Sequence, residues 1–191
     1  KKFAKKGRNI DSSPFGGGPG MVLRPDVLQN AYDSCTKNLS KEEKKNIAKI
    51  MLSPKGKRLD NKMAVKLSKF NGMVLISGRY EGVDERFIEY NSLEEISIGD
   101  YVVMGGEVAA MVLIETVLRN RPQILGNSES LKTESFVDNN LEYPQYTKPR
   151  IWKNMEVPAV LLSGNHGKIA KWRADRSKVV TKIKNKKKNN R

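Results

Sequence analysis

Short apolar runs alternate along this chain with amphipathic stretches, and the alternation predicts its elements. Arg24-Pro25-Asp26 opens a helix that runs to about Thr36, with proline in the favoured first turn. Ser40 and Glu43 match a capping box. Residues 48–52 (AKIML) predict a strand ending at Ser53-Pro54, and Asp60 caps a helix to about Phe70. Residues 73–76 (MVLI) are apolar throughout, the pattern of a strand buried on both faces of a parallel sheet. After Gly99-Asp100, Tyr101-Val102-Val103 predicts another strand. Gly105-Gly106 then opens a strongly apolar helix to about Arg119. Strands separated by helices imply an α/β fold, a parallel sheet with helices on both faces.

The flanks read differently. Residues 1–20 are basic and glycine-rich, and PFGGGPGM (residues 14–21) predicts a loop. Residues 126–140 are polar, aperiodic and rich in Ser and Asn, so they read as a linker. The expected organisation is a domain over residues 1–125, this linker, and a short basic C-terminal domain over residues 141–191, with a helical region. Within the last, YPQYTKP (residues 143–149) is a loop, and Ser163 or Asn165 caps a helix through Arg176. The final KIKNKKKNNR is of low complexity and is expected to fray.

Charge narrows the class of partner. Lys and Arg number 36 against 21 Asp and Glu, a net charge of +15. Such an excess points to a polyanion, most often nucleic acid; a lysine-rich composition from an AT-rich genome is the plainer alternative. One cysteine, Cys35, excludes an internal disulfide and fits a reducing cytoplasm. No apolar run is long enough for a membrane span and no signal peptide is visible, so a cytoplasmic protein without a membrane partner is expected. The chain opens at Lys1 without Met, and a preceding segment is expected.

Two glycine-punctuated segments carry the chemistry: ISGRYEGVDER (residues 76–86) and SIGDYVVMGGE (residues 97–107). With Leu52-Ser53-Pro54 they place turns after three successive apolar strands. Ligands of open α/β sheets bind outside such strand ends. A single glycine there is an ordinary turn, but several in register read as a site where backbone groups meet a ligand. Neither a dinucleotide fingerprint nor a phosphate loop is present. One His and one Cys make no zinc site, and His166 reads as a helix-start residue. Carboxylates and arginines remain as the plentiful chemical groups.

The wording of these segments resembles the bacterial tRNA (guanine-N1)-methyltransferase family. The matching stretches are Asp11 to Met21 with its PFGGGPGM loop, LSPKGKRLD, GRYEGVDER, SIGDYVVMGGE, AAMVLIETVLR, ESF followed by LEYPQYTKP, and VPAVLLSGNHGKIAKWR. They run in family order over most of the chain. The resemblance implies a deep trefoil knot, S-adenosylmethionine as methyl donor, tRNA as substrate and a homodimer whose site spans the interface. The methyl acceptor it implies is N1 of the guanosine just 3′ of the anticodon. It assigns the cofactor to Leu52, Ser53 and Pro54; to Gly78, Tyr80 and Glu81; and to Ile98, Gly99, Tyr101, Val103, Gly105 and Gly106. It makes Arg119 the catalytic arginine and puts Glu134 where the family carries an Asp general base. By themselves Glu134 reads as a solvated linker carboxylate and Arg119 as a charge at a helix C-terminus. The resemblance also implies dependence on Mg2+, with Glu81, Asp100 or linker carboxylates as ligands, although no dedicated oxygen cage is visible. It places a further strand before Lys1. A related knotted methyltransferase with another RNA target and a non-catalytic RNA-binding remnant are the alternative readings.

Overall fold

The computed structural model describes residues 2–4, 9–122, 124, 134–136 and 140–189. The chain divides into two compact units, Lys1–Leu125 and Gly126–Arg191.

The first unit is mixed α/β. Among the described residues its sheet has three parallel strands: β3 (Ile47–Arg58) lies between β4 (Gly72–Ser77) and β5 (Glu94–Ser97). Two short strands, β1 (Asp11–Ser12) and β2 (Val22–Leu23), form a separate antiparallel pair. The accompanying helices are α1 (Pro25–Thr36), α2 (Lys41–Lys45), α3 (Asn61–Leu67), α4 (Glu85–Tyr90) and α5 (Gly106–Leu118).

Alternation along β3 decides which helix goes where, because successive side chains point to opposite faces of a strand. Ala48, Ile50 and Leu52 join a core with Met63, Ala64 and Leu67 of α3, Ile96 of β5, and Ala109, Leu113 and Val117 of α5. Met51 turns to the other face and packs with Phe87, Ile88 and Leu93, against Leu28 and Tyr32 of α1. Tyr32 meets the Phe87 ring edge-on at 6.2 Å. Both faces of the sheet are therefore covered.

Several local signals act as expected. Pro25 occupies the first turn of α1. Ser40 and Glu43 form a reciprocal capping box on α2. Asp60 caps α3 by accepting from the Met63 N–H at 2.7 Å. Three expectations need correction. The strand does not end at Ser53-Pro54. After an irregularity between Leu52 and Lys57 it resumes pairing with β5. Leu52 and Lys57 both pair with Ile96, so residues 53–56, with a proline that has no N–H to donate, bulge out of the ladder before it resumes. Tyr101-Val102-Val103 is not a strand but an exposed loop, and the third sheet strand lies earlier, at Glu94–Ser97. The C-terminal helix does not stop at Arg176.

The second unit holds a small antiparallel pair, β6 (Ile151–Trp152) and β7 (Met155–Glu156), a 3-10 turn at Ala159–Leu162, and the long helix α6 (His166–Asn189). Asn165 caps α6, its Oδ1 accepting from the Lys168 N–H at 3.0 Å. The lysine tail, expected to fray, is helical to Asn189. Lysine is a good helix former, so its repetition does not break the helix. Trp172 packs edge-on against Tyr146 at 6.2 Å, whereas Trp152 is exposed. Most of the linker, residues 126–133 and 137–139, falls outside the described residues.

Candidate active site

Parallel strands bring their carboxyl ends together, and a cavity of about 280 Å³ lies at that edge of the sheet. Every residue expected to hold the cofactor lines it. From β3 come Leu52, Ser53 and Pro54. Gly78, Tyr80 and Glu81 come from the turn after β4, and Ile98, Gly99, Tyr101, Val103, Gly105 and Gly106 from the loop after β5 and the start of α5.

Local chemistry explains the shape of each wall. Gly99 has φ of +152°, and a Cβ there would stand 2.5 Å from the Tyr101 ring, so only glycine fits. Ser97 Oγ donates to the Gly99 carbonyl at 3.0 Å and accepts from the Gly99 N–H at 3.1 Å, which holds the turn from within. The loop then returns to the end of β4, where the Gly106 N–H donates to the Gly78 carbonyl at 3.0 Å. The turn after β4 is stitched to β2 on its other side: the Glu81 N–H donates to Met21 and the Leu23 N–H to Gly82, both at 3.0 Å. Tyr80 sits in this turn at φ of +58°, a conformation uncommon for a residue with a side chain. Such outliers cost of order 1–3 kcal/mol and collect at ligand sites.

Arg79 and Glu107 close the rim. The Arg79 Nε donates to Glu107 Oε1 at 3.0 Å, linking the β4 turn to the first turn of α5. A hydrogen bond from its own backbone N–H, and then the Arg79 guanidinium, hold the Glu107 carboxyl below the usual carboxylate range. Lys55 pairs with Glu85 at 3.1 Å, also on an exposed edge.

One wall residue lies outside the expected set. Glu95 lines the cavity from β5, and its Oε1 is buried without a hydrogen-bond partner. An unpaired buried carboxylate oxygen costs desolvation energy that a ligand donor would recover. The glycine signal points at the turns and away from the strand before them, where two adjacent glutamates look solvent-exposed. A nucleoside carries hydroxyl and amine donors, so this acceptor and the backbone-lined turns fit S-adenosylmethionine.

Neither residue expected to be catalytic is among those that line the cavity. Arg119 is the C-cap of α5 and does not line the cavity. Ten residues of helix separate it from Ala109, the last cavity residue on α5, or roughly 15 Å at 1.5 Å per residue. Glu134 belongs to the second unit. Beside it, the Phe136 N–H donates to the Asn140 carbonyl at 2.6 Å and the Glu142 N–H to Ser135 Oγ at 3.0 Å. No group of three or more His, Cys, Asp or Glu side chains suited to a metal occurs among the described residues, and Asp100 lies 3.7 Å from Arg58.

Comparison with known proteins bears on the same residues. The family model described as tRNA (Guanine-1)-methyltransferase TrmD matches residues 1–189. The chain is 49% identical over 179 residues to a tRNA (guanine-N(1)-)-methyltransferase of Pelagibacter ubique, which covers 93% of this chain and 75% of the relative. Proteins of the same description from Nitrosomonas europaea (49%, covering 89% of this chain and 63% of the relative) and Anaplasma phagocytophilum (48%, 95% and 76%) are similar in the same way.

Proposed function

The chain belongs to the tRNA (guanine-1)-methyltransferase family, and from that premise we propose that it methylates N1 of a guanosine in tRNA, the one just 3′ of the anticodon. The observation that carries this reading is the single cavity that all twelve residues expected to hold the cofactor line, from β3, the turn after β4 and the loop between β5 and α5. S-adenosylmethionine, when bound there, supplies a methyl group already activated on a sulfonium.

The residues of the chain do the rest. Guanine N1 carries a proton, and its lone pair is useful only as that proton leaves. Glu134 accepts it, which is general-base catalysis by a carboxylate. Negative charge rises on the neighbouring guanine oxygen as that proton leaves. It is discharged as the N1 lone pair forms its bond to the methyl carbon and the carbon–sulfur bond breaks, its electron pair going to sulfur to leave a neutral thioether. Arg119 stabilises that charge, because a guanidinium stays protonated and offers a fork of donors. Glu95 would hold a donor of the cofactor, and the loop after β5 would wall its adenine. The carboxylates of the described residues form no cage for Mg2+, and no step is assigned to that ion.

A homodimer is part of the reading. Roughly 15 Å of helix between Arg119 and its own cavity is longer than an extended arginine side chain, so Arg119 serves the crevice of a second copy. The surface supports this occupant. One side of α5 packs on the sheet through Ala109, Leu113 and Val117, while Val108, Met111 and Leu118 are exposed. The crevice loop beside it exposes Val102 at 83% and Met104 at 97%. These exposed apolar side chains support an interface, and an isologous one is the simplest for identical chains. The return of residues 98–105 to the end of β4, with β5 on the far side of β3, supports the deep knot. The tRNA substrate supports a cytoplasmic location. No helix among the described residues is long and apolar enough to cross a membrane.

The test is methyl transfer to unmodified tRNA, with the modified nucleoside mapped, for wild type and Glu134→Gln. The variant keeps the shape and loses the proton acceptor, so single-turnover methylation should fall by roughly 10²–10⁴-fold, with S-adenosylmethionine affinity unchanged by calorimetry. Near-normal turnover would remove Glu134 from the mechanism. Methylation at another atom or position would replace the reaction.

A further inference from the structure

The long basic helix α6 has a second feature besides its charge. Phe136 and the segment 141–146 are tied to one face of it, at contacts that recur with helical spacing. The Lys184 ammonium stands 4.5 Å from the centre of the Phe136 ring. Thr181 Oγ1 accepts from the Leu141 N–H at 2.8 Å, and Ser177 Oγ donates to the Leu141 carbonyl at 2.6 Å. The Arg173 guanidinium lies 4.9 Å from the centre of the Tyr143 ring, and Trp172 meets Tyr146 edge-on. Positions 173, 177, 181 and 184 are three or four apart, so they line one stripe of the helix. The segment is antiparallel to α6, its first residues against the helix C-terminus.

The hydroxyl pair is the tightest of these ties. One residue of the segment, Leu141, has both its backbone N–H and its carbonyl bonded to side chains of α6. Thr181 Oγ1 in turn donates to the Ser177 carbonyl at 2.8 Å, which fixes its lone pairs toward Leu141. Two residues from Glu134 the chain adopts φ of +74° at Phe136, and it is there that Lys184 caps the ring. The Ser135–Glu142 and Phe136–Asn140 bonds tie the two residues after Glu134 to the residues on either side of Leu141, which α6 holds.

We propose that Ser177, Thr181 and Lys184 are positioning residues for the general base Glu134, so that the basic helix clamps the catalytic loop and does more than hold phosphates. This rests on Glu134 being the base. It separates two roles that charge alone would merge: Ser177 and Thr181 carry no charge, yet they make the closest contacts. A base displaced by about 1 Å loses up to 10²-fold in rate, while the cofactor cavity in the other unit is untouched.

The experiment uses the full chain with S-adenosylmethionine and tRNA. Ser177→Ala with Thr181→Val removes both hydroxyls at nearly constant volume. Single-turnover kcat should fall by about 10–10²-fold, with KM for tRNA, its salt dependence and S-adenosylmethionine affinity close to wild type. Thr181→Ser should restore the rate, because it returns the acceptor. Amide exchange at Leu141 should accelerate in the double variant and not in the rescue. Lys184→Met should lower kcat and Lys184→Arg should keep it, since Arg retains the cation over Phe136. This pair carries the test if the double variant unfolds. Normal kcat in the hydroxyl variants, or a loss confined to KM with a flatter salt response, overturns the clamp. Glu134→Gln in the same assay separates the failures: if it is active, the base assignment fails. If it is inactive while the hydroxyl variants are normal, only the clamp fails.

Discussion

Gly106→Ala probes how closely α5 must approach the end of β4. A Cβ at position 106 would stand 2.7 Å from Ser77 Cα, 2.9 Å from the Gly78 N and 3.0 Å from Ser77 Cβ. The first of these is about 0.7 Å short of the 3.4 Å at which ordinary contact begins. Two of the three atoms are backbone, so no side-chain rotation relieves the clash. Overpacking of this kind costs about 1–3 kcal/mol. Stretching the Gly106–Gly78 hydrogen bond adds a net ~0.5–1.5 kcal/mol, and the better helix propensity of alanine returns at most about 1 kcal/mol. The balance is a loss of about 2 kcal/mol, or roughly 4–8 °C in Tm for a chain of this size. The same shift moves the first turn of α5 away from Gly78 and widens the cavity that both line. Backbone hydrogen bonds tolerate only a few tenths of an ångström, so S-adenosylmethionine affinity should fall at least roughly tenfold, about 1.4 kcal/mol. Thermal unfolding and titration calorimetry read the two effects. Gly72→Ala is the control: its Cβ would meet Ile47 Cγ2 at an ordinary 3.5 Å, and stability should hold or rise by up to about 1 kcal/mol. A Gly106→Ala protein that melts and binds as wild type would refute the close-approach argument and the cavity assignment with it.

Glu95→Gln tests the orphaned acceptor: S-adenosylmethionine affinity should drop by about 10-fold, a charge-assisted bond being worth ~1.5–3 kcal/mol, while the variant itself is as stable as wild type or more so. An unchanged dissociation constant would exclude Glu95 from the ligand shell. Leu113→Ala removes a side chain with no exposed surface at the centre of the α5 core, and should cost about 2–5 kcal/mol by denaturant unfolding. Asp84 caps α4 by accepting from the Arg86 N–H at 3.0 Å, and the Arg86 side chain holds its carboxyl below the usual range. Asp84→Ala should therefore cost about 1 kcal/mol at neutral pH. Because the folded-state value is the lower one, that difference is fully present above the ordinary Asp value near 3.9. It should narrow only as pH falls below that value; a difference that shrinks already between pH 7 and 5 would contradict the pairing.

Elements with strong local signals are legible from the residues alone. α1 has its proline, α2 its capping box, α3 its Asp60 cap, and α5 begins where two glycines precede an apolar run. β4 is apolar throughout and pairs in parallel as expected. β5 escapes the pattern because Glu94 and Glu95 interrupt it. Tyr101-Val102-Val103, rich in strand-forming side chains, imitates a strand although those residues are exposed around a cavity. Composition also misleads at the lysine tail, whose charge says nothing against a helix that a neighbouring segment anchors.

By itself, then, the sequence determined the chemistry available: apolar strands, glycine turns and an excess of cations, with Glu134 and Arg119 singled out only by the family resemblance. Only tertiary structure decided that β5 lies beside β3 rather than β4, and that the loop after it folds back onto Gly78. It also decided that Glu95 turns an unpaired oxygen into a site wall, that Arg119 stands far along α5 from its own cavity, and that Thr181 meets Leu141 forty residues away. The physical reason is range. Caps, turns and periodicity are set by residues within a few positions of one another. Strand order, register and the pairing of distant side chains follow from how the whole chain buries its apolar faces at once.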